Sequence, residues 1–260
     1  EWIEPENCDL PLANAKPSEY PTVISATPHE QVVVKGTWQF KEPGWLQIQE
    51  ITFEGENNGL VVESMGSNAK HQAKVSLRRL TFADQSPGLV LKTTGSAKVF
   101  CGRSKFLDRA AGLLVDGSGI VTMARNVFAG GIHKHSGEIK VHYFHCTRIG
   151  SFPEKRGLTV SNCLDLVDWV AAEKVLRDPK NGFFQLKADA REIDAGTGLA
   201  ASMEIPGWST MPVVGKPDLG AFEHYPERIL KCEMIMEETD ILSGLVKAVP
   251  HEKRKEKLLN

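Results

Sequence analysis

The segment Val99–Val115, VFCGRSKFLDRAAGLLV, divides into three short runs in which every second residue points one way. Val99 and Cys101 form the first apolar pair. After a two-residue break a second pair ends in Phe106, and Leu113 and Val115 follow behind Gly112. The same grammar returns in Leu46–Val62, Val75–Leu91, Val121–Lys134 and Ile139–Val160. The opening pairs are Leu46/Ile48, Val75/Leu77, Val121/Met123 and Ile139/Val141, and the aromatic column is Phe53, Phe82, Phe106, Phe128 and Cys146, spaced 29, 24, 22 and 18 residues apart. Gly59, Gly88, Gly112, Gly131 and Gly157 precede the third runs.

Alternation with a period of two is the signature of a strand with one buried face. A unit of about 22 residues is too short to fold alone, but stacked units bury a continuous column, each strand pairing in parallel with its equivalent in the next unit. The Gly before each third run suits a corner with positive φ. A leucine-rich repeat would need its own leucine spacing and a helical side, and a jelly roll would not hold these columns in register. The pattern predicts an all-β chain: a short parallel β-helix with three strands per coil.

Composition sets the outer bounds. The chain has 260 residues, 31 Lys and Arg against 33 Asp and Glu for a net charge of −2, and 41% hydrophobic residues, which is the profile of a folded protein. No apolar run reaches the roughly 20 residues of a membrane-spanning helix. The absence of a basic domain argues against nucleic acid as a partner. Cys8, Cys101, Cys146, Cys163 and Cys232 are odd in number and show no metal-ligand spacing, so they predict neither a disulfide framework nor a metal site.

The three-strand unit resembles the right-handed parallel β-helix of the pectin-lyase-like superfamily. Pro21–Trp38 is similar to the entry coil of such proteins. Val175–Leu186 (VLRDPKNGFFQL), IDAGT at 193–197 and DLGAFE at 218–223 are similar to the closing segment of secreted β-helix proteins related to alginate and chondroitin lyases. The resemblance covers roughly residues 20–225. It implies a right-handed winding, an extracellular or periplasmic setting and an acidic polysaccharide as ligand. Activity does not follow, because one scaffold carries many functions.

In the resembled enzymes the substrate lies on the outer face of the strand behind the Gly corner. Parity puts Leu60/Val62, Leu89/Leu91, Leu113/Val115, Ile132/Lys134 and Leu158/Val160 inside. Val61/Glu63, Val90/Lys92, Leu114/Asp116, His133/His135 and Thr159/Ser161 then lie outside. Glu63, Lys92, Asp116 and His135 alternate in charge, as cross-strand ion pairs would. The same column could instead grip a saccharide, with Lys92 or His135 as base and a loop arginine (Arg109, Arg148 or Arg156) neutralising a uronate carboxylate. β-Elimination requires that neutralisation before the neighbouring proton can be removed. The resembled lyases place a Lys and an Arg on neighbouring coils, often with acids holding Ca²⁺. Here no Arg falls on the expected face and no three acids cluster, so no catalytic residue is assigned and no cofactor is expected unless the protein is a lyase, when Ca²⁺ enters.

Other features read as structural or remain open. Glu50, Arg79, Arg103, Arg125 and Tyr143 form a column at the two-residue bend, where neighbouring cations repel by about 0.9 kcal/mol in water. This column is either solvated or an anion site. His133-x-His135 is a possible metal pair, but Cys146 falls in the inward aromatic column, so the local His and Cys residues do not converge. Lys134, placed inside, is an anomaly to be resolved by a slip of parity, an escape through the corner, or an internal partner. Asn126 reads as an internal hydrogen bonder, and Asp194 and Asp218 as caps on backbone N–H groups.

The expected organisation is an N-terminal wrap (1–30), the parallel β-helix (31–170), a closing segment (171–225) and a helical extension (226–260). Asp165–Asp178 has apolar spacing compatible with a short helix closing the C-terminal coil, stopped by Pro179. Two functions remain open. One is binding, with or without cleavage, of an acidic polysaccharide. The other is a non-catalytic assembly subunit that meets protein partners through its ladder faces and the helix of 226–260.

Overall fold

A computed structural model describes residues 22–26, 31–41, 43–55, 59–64, 74–83, 87–95, 97–107, 112–130, 133–150, 158–197 and 216–222. The chain divides into two compact units, 1–199 with 215–224, and 200–214 with 225–260. All described residues belong to the first, so the predicted extension at 226–260 lies outside them, as do Arg109 and Arg156.

The strands are β1 Thr22–Ser25, β2 Val32–Lys35, β3 Trp38–Lys41, β4 Trp45–Gln49, β5 Ile51–Glu54, β6 Leu60–Ser64, β7 Lys74–Arg78, β8 Thr81–Ala83, β9 Leu89–Thr93, β10 Lys98–Gly102, β11 Lys105–Leu107, β12 Leu113–Ala124, β13 Val127–Ala129, β14 His133–Phe144, β15 Thr147–Ile149, β16 Leu158–Ser161 and β17 Leu164–Leu166. They are followed by α1 Trp169–Val175, β18 Leu176–Asp178, a 3₁₀ turn at Pro179–Asn181 and β19 Phe183–Leu186. The strands wind into a parallel β-solenoid. The run β1, β4, β7, β10, the second half of β12, the second half of β14 and β16 stacks in parallel register. So do β2, β5, β8, β11, β13, β15 and β17. The strands behind the Gly corners, β3, β6, β9 and the first halves of β12 and β14, form the remaining stack. β1 lies where the expected wrap (1–30) and the expected entry coil (Pro21–Trp38) overlap, and it is a solenoid strand.

The interior is the predicted one through the first coils. Phe53, Phe82, Phe106 and Phe128 stack with centroid separations of 5.3, 4.9 and 4.8 Å and interplanar angles of 11°, 21° and 18°. All four are fully buried, each contributing about 1.5–3 kcal/mol by burial. Between the first and second strands of each coil stands one residue with φ near +55°: Glu50, Arg79, Arg103, Arg125, His145 and Asn162. The left-handed region costs such residues about 1–2 kcal/mol. The parallel ladder runs on through the bend, where the Glu50, Arg79, Arg103, Arg125 and His145 amides donate to Arg78, Gly102, Ala124, Phe144 and Ser161 of the following coil at 2.9–3.1 Å. These bonds offset the strain.

Register departs from expectation in two places. At the fourth Gly corner the parity slips by one: His133 pairs with Leu113 and His135 with Val115, so both histidines occupy the inward columns, and Lys134 and Ser136 face outward. Lys134 is exposed, which removes the anomaly of an internal ammonium. In the last long repeat the expected alignment is off by two. Val141 and Tyr143 are the inward pair, His145 rather than Tyr143 is the bend residue, and Arg148 rather than Cys146 lies in the phenylalanine column. Leu158–Ser161 pairs with Val141–Phe144, so it begins a new coil and is no corner strand.

The closing segment packs on the outer face of the second-strand stack, where Val127, Ala129, Ile149, Leu164 and Leu166 meet Ala172, Leu176, Phe184, Leu186 and Ala221. α1 begins four residues later than expected, because Leu164–Leu166 still pairs as a strand. Its N-cap is Asp168, whose carboxylate accepts the Ala171 amide at 2.7 Å. Asp194 and Asp218 act as capping groups: Asp218 accepts the Asp194 amide at 2.7 Å and Asp194 the Lys216 amide at 2.8 Å. Among the described residues no helix is long and apolar enough to cross a membrane.

Candidate binding face and polar interior

Outward positions of the corner strands form the ladder Lys41, Glu63, Lys92, Asp116 and Ser136. Ser136 stands where His135 was expected. Lys92 Nζ donates to Glu63 Oε1 at 2.8 Å, and Ser136 Oγ donates to Asp116 Oδ1 at 2.5 Å. Hydrogen bonding and charge from Glu63, with help from Asp116, raise the Lys92 pKa. A raised pKa keeps the ammonium protonated, the opposite of what a general base requires. Glu63 and Asp116 are separated by the Lys92 coil and each already has a partner, so this ladder does not fit a shared Ca²⁺ and no step is derived through one. Its geometry is that of ion pairs between coils.

Arg148 is neither a loop residue nor free. It lies on β15 at the register position of Phe128, is buried, and forms a two-point ion pair with Asp165 of β17. Its guanidinium also lies 5.7 Å from the centroid of Tyr143. His133 and His135 are equally committed. The buried His133 donates through Nε2 to the Gly130 carbonyl at 3.1 Å, and burial holds its pKa down at about 4. His135 Nε2 lies 3.0 Å from the Tyr143 hydroxyl, and burial lowers its pKa as well. The last coils therefore have a polar interior built from His133, His135, Tyr143, Arg148, Cys146 and Cys163. Asn126 behaves as expected: its Oδ1 accepts the Ser104 amide at 2.8 Å, and its Nδ2 donates to the Cys101 carbonyl at 2.9 Å.

The outer face of the first strands carries a column of exposed charge that no described residue neutralises. Trp45, Lys74, Lys98, Ile120 and Lys140 share one column there, about 4.8 Å apart per coil. All three lysines are exposed, and none forms an ion pair with a described residue. Lys74 Nζ sits 5.1 Å from the Trp45 ring centroid, which it shares with solvent. The next column is Val23, Gln47, Ser76, Phe100, Thr122, His142 and Thr159. Beyond it Gln47 Nε2 donates to Gln49 Oε1 at 2.8 Å, and Gln49 Nε2 to Ser25 Oγ at 3.1 Å. Burial, with help from Lys140, lowers the His142 pKa. The segments 45–49, 74–78, 98–102, 120–124 and 140–144 contain no Asp or Glu. In the sequence the signal is the residue just before each opening apolar pair, Trp45, Lys74, Lys98, Ile120 and Lys140. Reading the strand behind the Gly corner for chemistry passes over it.

Among the described residues no three His, Cys, Asp or Glu side chains converge on a common point. No protein-family model, curated protein or solved structure matches this chain.

Proposed function

We propose that the protein binds an extended acidic polysaccharide along the outer face of its first strands, without cleaving it. The observation that carries this reading is the column Lys74, Lys98 and Lys140: exposed cations that form no ion pair with a described residue, with Glu138 beside Lys140 as the one acid on their three strands, in a chain whose net charge is −2. An extended anionic polymer with groups repeating at about the coil spacing meets an ammonium on the coils of Lys74, Lys98 and Lys140, and an apolar side chain on that of Ile120. Trp45 supplies a stacking surface, and the neutral Gln47, Gln49, Ser76 and Thr122 supply partners for hydroxyl groups. The corner-strand ladder gives less support to a binding site, since its charges neutralise one another, and a protonated Lys92 gives none to β-elimination. Kinship with right-handed pectin-lyase-like helices, and a setting outside the cell or in the periplasm, belong to the same proposal. The in-register Phe stack and the one-residue bends support that kinship.

The test is calorimetric titration of the whole chain with alginate, polygalacturonate and chondroitin sulfate, with a neutral glucan and a DNA oligomer as controls. An acidic glycan binds and the neutral one does not, and Lys74→Glu with Lys98→Glu and Lys140→Glu weakens binding at least tenfold, a change of about 1.4 kcal/mol. Lys92→Ala leaves affinity unchanged. No ultraviolet absorbance from unsaturated sugar ends develops. Equal binding of neutral and acidic glycans, a preference for DNA, or loss of binding on Lys92→Ala overturns the assignment.

A further inference from the structure

Cys146 and Cys163 are stacked in one inward column of the last two coils, immediately after the bend residues His145 and Asn162. Equivalent residues of adjacent parallel strands lie about 4.8 Å apart, inside the Cα range that a disulfide spans. The Cys163 sulfur already reaches Cys146. The Cys146 amide donates to Cys163 Sγ at 3.3 Å, and the Cys163 thiol in turn donates to the Ser161 carbonyl at 3.5 Å. Their surroundings differ. Cys146 is fully buried and its Sγ donates to the Met123 carbonyl at 3.4 Å. Cys163 is half-buried in the final coil, within reach of the Asp165 charge. Arg148 lies close enough to act on both sulfurs, and Asp165 opposes it at Cys163.

We propose that Cys163 and Cys146 form a peroxide-sensitive thiol pair, Cys163 being the attacking sulfur and Cys146 the resolving one. Cys163 is the sulfur a peroxide can reach, since Cys146 is fully buried, which sets the order of events; hydrogen bonding from Cys146 and the charge of Arg148 lower the Cys163 pKa, and burial raises that of Cys146, in the same sense. The Cys163 thiolate attacks a peroxide oxygen, the O–O bond breaks, and Cys163 becomes a sulfenic acid as the first water leaves with the thiol proton. Cys146 sulfur then attacks Cys163 sulfur, the S–O bond breaks, and the departing hydroxide takes the Cys146 proton as the second water. Two thiols are oxidised to one disulfide, and one hydrogen peroxide is reduced to two waters. The bridge ties the last coil to the one before it across 17 residues.

The full chain is exposed to hydrogen peroxide, blocked with iodoacetamide, digested with trypsin and analysed without reduction, with glutathione as the control that the oxidant is active. The two cysteines fall on separate tryptic peptides, 141–148 and 157–174, so the bridge is read directly as a linked pair about 2 Da lighter than its parts. Before oxidation, iodoacetamide modifies Cys163 at least tenfold faster than Cys146 or Cys101. Cys163→Ser abolishes the link while circular dichroism remains that of the parent, and Cys101→Ser leaves the link in place. Should Cys146→Ser fail to fold, Cys163→Ser alone carries the comparison, because its site is half-exposed at the end of the solenoid. Full alkylation of both peptides after peroxide, pairing of Cys163 with Cys8 or Cys232, or slower labelling of Cys163 than of Cys146 overturns the proposal.

Discussion

His145 occupies a left-handed bend at φ 49°, with Asn162 Nδ2 3.2 Å from its Nε2 and the Asp218 backbone accepting from the ring. Burial, with Arg125 adding to it, holds its pKa at about 4, as burial holds that of His133, against an ordinary 6.5. Both rings stay neutral in the fold down to about pH 4, while the unfolded chain takes up protons as the pH falls through 6.5. The unfolded state therefore binds more protons in that window, and stability must fall with pH across it, by up to about 1.4 kcal/mol per pH unit for each histidine. Urea midpoints measured from pH 7.5 to pH 5 show that decline. His145→Asn, which keeps a side chain tolerant of the left-handed region, makes the decline shallower by about 1 kcal/mol per unit; an unchanged slope refutes the assignment. Gly117 presents the opposite case, a position that accepts no side chain. Its φ is 114°, and a methyl placed on it would lie 1.7 Å from the Thr93 carbonyl oxygen, which belongs to the adjacent coil. Gly150 shares the positive φ, 101°, but no described residue comes within 4 Å of a methyl placed on it. Gly117→Ala is expected to cost more than about 3 kcal/mol and Gly150→Ala about 1 kcal/mol in chemical denaturation.

At the scale of the strand, register decides which side chains can act together. Alternation made the inward set legible for the coils from Leu46 to Phe128, and the stacked phenylalanines follow from it. The two slips have identifiable causes. Gly130 and Gly131 stand side by side, so the sequence does not say which one turns the corner, and a shift of one residue exchanges the two faces. That exchange turns His133 and His135 from outward candidates into internal hydrogen-bonding groups. Further on, Ile139 pairs with Gly119 at a corner, yet being apolar it mimics the start of a strand. An error of two residues preserves parity, so hydrophobic pattern alone gives no warning of it. It hid Arg148 in the phenylalanine column. The cationic first-strand face was visible in principle, because it needs only the residues flanking the apolar pairs. It escaped because charge at an outward position looks the same whether a neighbour neutralises it or not. Arg148 tests what the column tolerates. Its partner Asp165 has a side chain 60% exposed, so removing the arginine strands no buried carboxylate. Arg148→Leu is expected to change unfolding free energy by less than about 1 kcal/mol, since an apolar side chain of similar bulk replaces a desolvated cation. Phe106→Ala, in the same column between two stacked rings, is expected to cost about 3–5 kcal/mol. A larger loss for Arg148→Leu than for Phe106→Ala would show that the last coils depend on the ion pair.

Over the whole solenoid, each coil touches only its neighbours, so the ends govern how the molecule opens. The C-terminal end is closed by a few polar contacts laid over the small apolar cluster of α1 and β19. Asn162 is central to them. It supplies a residue suited to the left-handed bend at φ 50°, and its side chain clamps Thr197: Nδ2 donates to the Thr197 carbonyl at 2.7 Å, and Oδ1 accepts the Thr197 amide at 2.9 Å and hydroxyl at 3.1 Å. Its own carbonyl accepts the Gly220 amide at 3.0 Å, joining both closing motifs to one residue. The neighbouring contacts have the same purpose: the Gly196 amide donates to Pro217, the Leu219 amide to Glu192, and the Ala221 amide to the Thr147 hydroxyl. Asn162→Ala removes four side-chain hydrogen bonds, three to Thr197 and one to His145, and leaves alanine in a strained bend, a combined cost of about 2–4 kcal/mol. In a stack with only nearest-neighbour coupling that cost stays where it is made. Hydrogen exchange should accelerate at the amides of 193–197 and 218–221, with tryptic cleavage after Lys187 and Arg191, while the amides of β5, β8 and β11 keep the protection of the parent. Uniform acceleration through those three strands would mean that the closure is coupled to the entire column, and that the coils unfold as one body and not from the end.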